Sequence, residues 1–482
     1  MSLSSAIYSA RSGLQVSSLR AEIVATNVAN ASTPGYVRRS ANLSETIVGG
    51  NSAGVRADGI SRVNDTAIKS QRRELTSDLA QASVLSSTWK SISAQIGDTA
   101  AGTGLFKTFS DFESALSRSI TSPESTANAA ALLQTARNIT QELNNLSDMV
   151  VIQRGEADRE ITDGVKIVNA ALKQVEDLNT RLAGMNRTTG EAASIIDERQ
   201  RVLDTIAEYM PIQTVERDAG GIDVLTAEGV YLLAGRARQI EFTPSAAFGP
   251  DQTLADGDLS GLTVDGLDLT PGAQSYAAVS GGLFGALFTL RDQDLPALSA
   301  QLDTIASNLI TRLSDDSIDP TKTAGAQGIF VDPDTSVGAG IAGRISLNAA
   351  IDPEQGGTVT RLRDGLGAAT VGPPGNRTIL QGLFDAFSAI SSINSNGLQG
   401  TFSSTDLVAH LSSLAGQKRI GHEAVMSSTQ TQHSIMLQAE QTETGVDVDV
   451  QLQDLLLVEQ AYAANARVIE VAGQMIRLLM EL

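Results

Sequence analysis

Apolar residues recur at both ends of the chain with a seven-residue beat. From Leu3 to Val28 one series holds Leu3, Ala10, Ser17 and Val24, and a second holds Ile7, Leu14, Ala21 and Val28. Offsets of three and four put both series on one helix face. At the other end Val448, Leu455, Tyr462, Ile469 and Ile476 recur every seven residues, with Leu452, Ala466 and Met480 on the adjacent seam. Both ends therefore predict coiled-coil-like helices of similar length. Heptads this short also fit two surface helices packed on a core. Their position at the two extremes of one chain favours pairing with each other, so that the chain runs out and returns.

The first helix has a stop signal. Asn27-Val28-Ala29-Asn30-Ala31-Ser32-Thr33-Pro34-Gly35-Tyr36 ends in Pro-Gly, which fits the central positions of a type II turn, with Gly35 supplying φ > 0. An extended, glycine-punctuated stretch from Val37 to Val63 follows, with partial alternation over Val55–Ile60. From Asp65 to Tyr209 the pattern is helical. Ser122-Pro123-Glu124 reads as a helix cap with a first-turn proline, and Thr189-Gly190-Glu191 opens a further helix that Pro211 ends. Beyond Pro211 short alternating runs appear, and Leu262-Thr263-Val264-Asp265-Gly266-Leu267-Asp268-Leu269 is the strongest hairpin signal in the chain. Leu283–Leu313 reads as helix. Residues 314–378 are rich in Gly, Pro, Asp and Thr, with short strands near Ile329–Val331 and Ile345–Leu347, and helices are expected from Ile379 to the end.

The expected fold class is mainly α with β-rich insert domains, elongated and multidomain. Residues 1–62 with 440–482 form a terminal unit whose helices pair antiparallel. Residues 63–210 with 281–313 and 379–439 form a helical body. Residues 211–280 form a β-rich insert and 314–378 a Gly/Pro-rich second insert or lobe.

Charge adds to this picture. The 482 residues carry 35 Lys and Arg against 55 Asp and Glu, a net charge of −20, which excludes a general nucleic-acid binder. Yet residues 1–75 hold nine basic and five acidic groups, and residues 440–482 two basic and eight acidic, so the ends have opposite sign. Aromatics are 4% of the chain and Trp89 is the sole tryptophan, so cores must be filled by Ala, Leu, Val and Ile. With no cysteine, disulfides, zinc thiolates, iron–sulfur clusters and cysteine nucleophiles are excluded. No membrane span is expected, since the best apolar stretch, Tyr276–Leu290, is glycine-broken and short of ~20 residues. Nor is a secretory signal peptide expected, because Met1–Tyr8 carries no positive charge and Arg11 and Arg20 interrupt any apolar segment. Export, if it occurs, uses a route that does not read such a peptide.

Short catalytic motifs fail on context. Gly50-Asn51-Ser52-Ala53-Gly54 matches G-x-S-x-G but lacks the strand–turn–helix setting that exposes a nucleophile. Gly338-Ala339-Gly340-Ile341-Ala342-Gly343 matches G-x-G-x-x-G but follows Asp332-Pro333-Asp334 and precedes a strand, where a flexible loop is expected. His410, His422 and His433 fall in helix at no metal-binding spacing and are expected in solvated or cap positions. No catalytic residue, cofactor or metal is expected.

The residues Asn27–Asn30 with Thr33–Tyr36 resemble the N-terminal signature of the axial proteins of the bacterial flagellum, the rod, hook and hook-associated proteins. Ala10–Leu14, Arg38-Arg39, Gly54-Val55, Gly59-Ile60, Arg62, Asp65 and Gln71-Arg72 are more similar to the FlgK family of hook-associated proteins, which joins hook to filament. Gln460–Ala466 with Arg467-Val468-Ile469 resembles that family's last helix. Where the family tends to carry an acidic run before that helix, this chain has Val446-Asp447-Val448-Asp449-Val450-Gln451. The resemblance implies export by the flagellar type III apparatus. It also implies a ring-like homo-oligomer with the terminal helices on the inner tube. The implied partners are the hook protein below, the second hook-associated protein above, and an export chaperone on the C-terminal segment. Leu3, Ile7, Leu14, Asn27, Asn30, Thr33, Pro34, Gly35, Tyr36, Leu455, Tyr462, Ile469 and Ile476 are the expected assembly residues. The alternatives are a hook or distal-rod subunit, or an exported protein with a hydrolase or adhesin-like lobe.

Overall fold

The structure is a computed structural model that describes residues 3–48, 51–250 and 252–480, with the backbone alone for 48, 51 and 52. The first helix, α1, spans Leu3–Ala29, and the last, α12, spans Val448–Met480. They lie antiparallel, with Asn27 opposite Gln451, Gly13 against Asn465, and Ala6 beside Ala472. Between α1 and the next helix the chain makes a long hairpin, β1 (Arg39–Val48) and β2 (Asn51–Arg62), bulged at Asn42/Leu43 and Glu45/Ile47. The sequence pattern suggested only short extended pieces here. The alternation is hidden because the hairpin rests on α1 along one side only, and Leu43 and Ile47 remain exposed.

The helical body follows as α2 (Thr66–Ile96), α3 (Gly104–Thr121), α4 (Thr126–Ala183) and α5 (Gly190–Tyr209). The expected cap at Ser122 is displaced. Ser122 instead closes α3, and Ser125 caps α4 by accepting a hydrogen bond from the Asn128 amide (3.2 Å). Ser125 is the hydroxyl placed to reach the third amide of the helix, whereas Pro123 sits in the connecting turn. Thr189 caps α5 through the Ala192 amide as expected.

The 58-residue α4 is the spine. Its first half, from Leu132 to Val150, belongs to a hydrophobic cluster with α3, the Phe330 region and the start of a late helix. Its second half, from Ala157 to Leu182, belongs to a separate cluster with α5 and the β insert. Gly164 lies where Tyr209 and Phe284 cross α4, and a Cβ there would stand 2.8 Å from both rings.

The β insert contains a four-stranded antiparallel sheet, β3 (Ile212–Glu216), β4 (Ile222–Thr226), β5 (Tyr231–Ala234) and β6 (Arg236–Ala237). A three-stranded sheet follows: β7 (Ile240–Glu241), β8 (Thr263–Val264) and β9 (Leu267–Asp268). The β8–β9 turn is Asp265-Gly266, both with positive φ. Two α4 asparagines fasten the sheets. Asn169 gives and accepts one hydrogen bond each with the backbone of Ile240 (both 2.8 Å), and Asn179 does the same with Ile222 (2.8 and 3.2 Å).

Next come α6 (Gly282–Thr289) and α7 (Leu295–Arg312), joined through a π-helical turn at Leu290–Asp294. There Arg291 is wholly buried, and donates to Asp158 (2.7 Å), Asp292 (2.8 Å) and the Ser260 carbonyl (2.8 Å). The second lobe contains β10 (Phe330–Val331), α8 (Ile341–Arg344), β11 (Ser346–Leu347) and α9 (Arg361–Asp364).

After α10 (Thr378–Ser388) comes an element that the expectation of continuous helix missed, a hairpin of β12 (Ser391–Ser395) and β13 (Leu398–Phe402). Its Asn396-Gly397 turn has φ of 51° and 80°. Asn-Gly is a strong hairpin signal, but the strands around it are mostly polar and show no apolar alternation. The long helix α11 (Ser404–Thr444) then runs beside α2 and leads into α12. Among the described residues, no helix is long and apolar enough to cross a membrane.

Candidate functional site: the joint between the paired ends and the helical body

Asn27 is 1% exposed and makes four hydrogen bonds. Its amide nitrogen donates to the Arg39 carbonyl (2.9 Å) and to the Gln451 side chain (2.8 Å). Its amide oxygen accepts from the Tyr36 hydroxyl (2.8 Å) and the Arg39 amide (3.1 Å). One side chain thus ties α1, the turn, β1 and α12, with both donors and both lone pairs in use. Gln451 sits where the chain departs from the family's acidic run, and its 4% exposure shows it committed to this contact. Asp447 opens α12 by accepting from the Asp449 and Val450 amides (2.9 and 3.1 Å).

The turn has the expected geometry. The Tyr36 amide donates to the Thr33 carbonyl (3.1 Å), and Gly35 has φ +75°. Asn30 donates to the Thr26 carbonyl (2.9 Å) and accepts from the Thr33 hydroxyl (3.3 Å), so it closes the helix end. Pro34 is exposed. The Tyr36 ring lies under the Arg39 guanidinium at 4.9 Å, and burial raises the phenol's pKa.

Ion pairs connect this turn to the body. Arg39 and Arg62 both bind Asp197 of α5, the former at 3.2 Å, and Arg39 also reaches Ser194 (3.0 Å). Arg72 and Arg73 of α2 share Asp204 (2.7 Å each), and Arg72 also pairs with Glu440 at the end of α11. Burial opposes the charge on Arg72, but Asp204 and Glu440 outweigh it and hold its pKa above the usual value. Lys69 is 4% exposed and donates to Asn64 (2.9 Å). Burial, then the Arg62 cation, pull its pKa down to about 8. Such buried pairs fix orientation more reliably than they add stability. A cleft of about 830 Å³ runs between residues 31–38, α2, α5 and the α11–α12 linker.

The pairing of α1 with α12 is real: on α1 it buries Ala10, Ser17 and Val24 of the expected first series, but on α12 it uses a different seam from the expected one. Gln451, Val458 and Ala472 are the buried residues of α12, with Asp454, Ala461 and Asn465 half-buried beside them. On α1 the buried residues are Ala10, Gly13, Val16, Ser17, Ile23, Val24 and Asn27; Leu3, Ile7 and Leu14 are half-buried. Small and amide side chains win this face because the helices approach closely. A Cβ on Gly13 would stand 2.6 Å from Asn465 Nδ2. The bulky heptad is left outward, with Leu455 38%, Tyr462 50% and Ile476 38% exposed, and Ile469 half-buried. The opposite charge of the two ends does not act through α1–α12 ion pairs, of which there are none among the described residues. It acts through Arg72–Glu440. The other flank of α1 carries the hairpin, where Ser12 Oγ accepts from the Val55 amide (3.1 Å).

Gly13, Gln451, Asn465 and Asp197 were not among the expected assembly residues, although Gln451 stood in the noted departure from the family's acidic run and Gly13 and Asn465 in the family-like stretches. Only Gly13 left a physical signal, since a glycine inside an apolar helix needs a packing reason.

The other motifs take structural roles. The Ser52 side chain and Gly50 lie outside the described residues; the backbone of Ser52 is in β2. The expected loop at Gly338–Gly343 instead opens the one-turn α8, and the Asp303 carboxylate accepts from the Gly340 and Ala342 amides (2.7 and 2.8 Å). A carboxylate therefore occupies the place a phosphate would take. The histidines pack rather than stand in solvent: His410 stacks on Phe402 (4.9 Å), His422 on Trp89 (6.5 Å), and His433 meets the Thr76 hydroxyl (3.2 Å). Burial lowers the pKa of His422 and of His433.

A family model described as the flagellar hook-associated protein FlgK helical domain matches residues 89–327, and one described as flagella basal body rod protein matches 7–36. Over 89–327, just under half of its length, the chain is similar to the FlgK family. The rod-protein match takes in α1 and the turn and stops at Tyr36; the FlgK match takes in α3 to α7 and the β insert. The flagellar hook-associated protein 1 of Escherichia coli is 24% identical over 318 residues, covering 63% of this chain and 55% of that protein. The chain thus spans about half the length of that relative. Hook-associated protein 1 of Bacillus subtilis is 19% identical over 505 residues, covering 97% of this chain and 96% of its own. The solved FlgK hook junction protein of Burkholderia pseudomallei aligns with TM-score 0.43 and 15% identity, over 54% of this chain and 46% of that one.

Proposed function

We propose that this chain is a structural protein of the bacterial flagellum that joins hook to filament, working through interfaces rather than catalysis. It is exported, and forms a ring-like homo-oligomer outside the cell through α1 and α12. The observation that carries this reading is the uncovered apolar face of α12. Leu452, Leu455, Leu456, Leu457, Tyr462 and Ile476 are exposed, and no residue of α1 or α12 belongs to either hydrophobic cluster. Burying one such side chain contributes ~1.5–3 kcal/mol, so a helix pair marginal alone becomes firm when neighbouring copies cover that face. An exposed apolar surface of this extent marks an interaction site.

The name of the relatives, flagellar hook-associated protein 1, supports a place at the hook; hook protein on one side and the second hook-associated protein on the other are the neighbours that the resemblance of the terminal residues implies. An export chaperone would cover the C-terminal segment before assembly. The helical-domain match favours this role over a hook or distal-rod subunit. The domain limits drawn from the sequence, and the thirteen expected assembly residues, belong to the same proposal. Truncation after Glu443 tests it. The shortened protein should keep cooperative unfolding of its two clusters, while cells making it release filament subunits into the medium. Normal filaments built on the truncated protein would refute the interface role.

A further inference from the structure

The seam between the β1–β2 hairpin, α5 and the β3–β4 strands holds a cavity of about 290 Å³ beside the joint, with which it shares Arg62. Its lining includes Arg62, Arg187, Arg199 and Arg217, with Glu216 as the one carboxylate. In a chain of net charge −20 this is a local patch of opposite sign.

Two of these arginines are buried and incompletely partnered. Arg199 is 5% exposed, and its hydrogen bonds go to neutral acceptors, the Asn179 side chain (2.9 Å) and the Gly220 carbonyl (2.7 Å). Arg62 gives a terminal nitrogen to Asp197. The Nε–H of each is enclosed by protein without an acceptor, so a ligand in the cavity meets these guanidinium groups through their terminal nitrogens. Burial, then the Arg62 cation, draw the Arg199 pKa down to about 10. Arg187 lays its aliphatic stem on Gly220, and Arg217, loosely paired with Asp223 (3.4 Å), is exposed at the edge. A buried guanidinium with a free N–H is costly unless an anion completes it, and its planar fork matches the oxygens of phosphate or carboxylate.

We propose that this cavity binds a small oxyanion, of phosphate or carboxylate type, on Arg62 and Arg199, with Arg187 and Arg217 closing its mouth. The oxyanion has two sources, free phosphate or an acidic side chain of a second copy. Either one bridges the terminal hairpin to the β insert and stiffens their junction.

The full chain is titrated calorimetrically with sodium phosphate, and its thermal unfolding is compared in phosphate and in sodium chloride of equal ionic strength. Saturable binding with a raised melting temperature is expected. Arg217→Gln, at an exposed position, should weaken it about ten-fold, the scale of one charge-assisted contact, and Arg199→Gln should abolish it. If Arg199→Gln does not fold, Arg217→Gln and Arg187→Gln decide. Where a second copy supplies the oxyanion, sedimentation shows self-association that phosphate competes away and Arg217→Gln weakens. Phosphate indistinguishable from chloride, with self-association indifferent to phosphate and to Arg217→Gln, overturns the proposal.

Discussion

Replacing Asn27 by alanine removes the one side chain that joins four segments. Four hydrogen bonds are lost. The Tyr36 hydroxyl is half-exposed and can turn to water, but Gln451 and the Arg39 backbone stay buried. At about 1 kcal/mol per bond, and more where a buried group is left without a partner, the cost is about 2–4 kcal/mol. It should fall locally, because α1 and α12 contribute nothing to the two clusters that hold the body. Hydrogen exchange reads such local opening directly. Amides in the first half of α12, around Val458, should lose protection by about thirty- to a thousand-fold, at ten-fold per 1.4 kcal/mol. Amides near Ile139 and Val168 in α4 should stay unchanged and serve as the internal control. Val458 protection within two-fold of the wild type would refute the view that Asn27 docks α12. Equal losses in α4 would show that the joint and the body unfold as one.

Gly13→Ala should destabilise the α1–α12 pair although alanine is the better helix former by ~1 kcal/mol, because the new Cβ meets Asn465. In an Asn465→Ala background the same change should become stabilising, and a double-mutant cycle by denaturant unfolding checks the reversal of sign. Gly35→Val should cost more than ~1 kcal/mol at φ +75° and also press on the Arg201 side chain, so filament formation should suffer while the body's melting temperature holds. Lys69 has a folded pKa of about 8 against 10.5 for a free lysine, so the unfolded state binds the extra proton between those values. Stability of the joint should therefore rise from pH 8 towards pH 10, and Lys69→Met should flatten that slope in exchange or melting measurements across the range.

Much of this protein was legible in its sequence because the signals are local. The helix at each end, the Pro-Gly turn with its positive φ, the Thr189 cap and the Asp265-Gly266 hairpin all follow from one residue's effect on its own backbone. The residues Asn27–Tyr36 were legible as a unit for the same reason, and their likeness to a known signature pointed to the family. The polar hairpin at 391–402 carried a local signal too, Asn396-Gly397, but its strands lack the alternation that a buried face imposes. What the tertiary structure alone decided is which faces meet. A seven-residue apolar beat shows that a stripe exists but not what covers it. In α12 the richest stripe faces outward, and the sparse line through Gln451, Val458 and Ala472 packs on α1, because Gly13 brings the two backbones too close for leucine. Asn27 meets Gln451 at a separation of 424 positions, Arg39 meets Gly190 at 151, and Arg72 meets Asp204 and Glu440 at 132 and 368. No local pattern encodes such pairings; they arise when helices that formed for local reasons bury their polar groups together and each donor must find an acceptor.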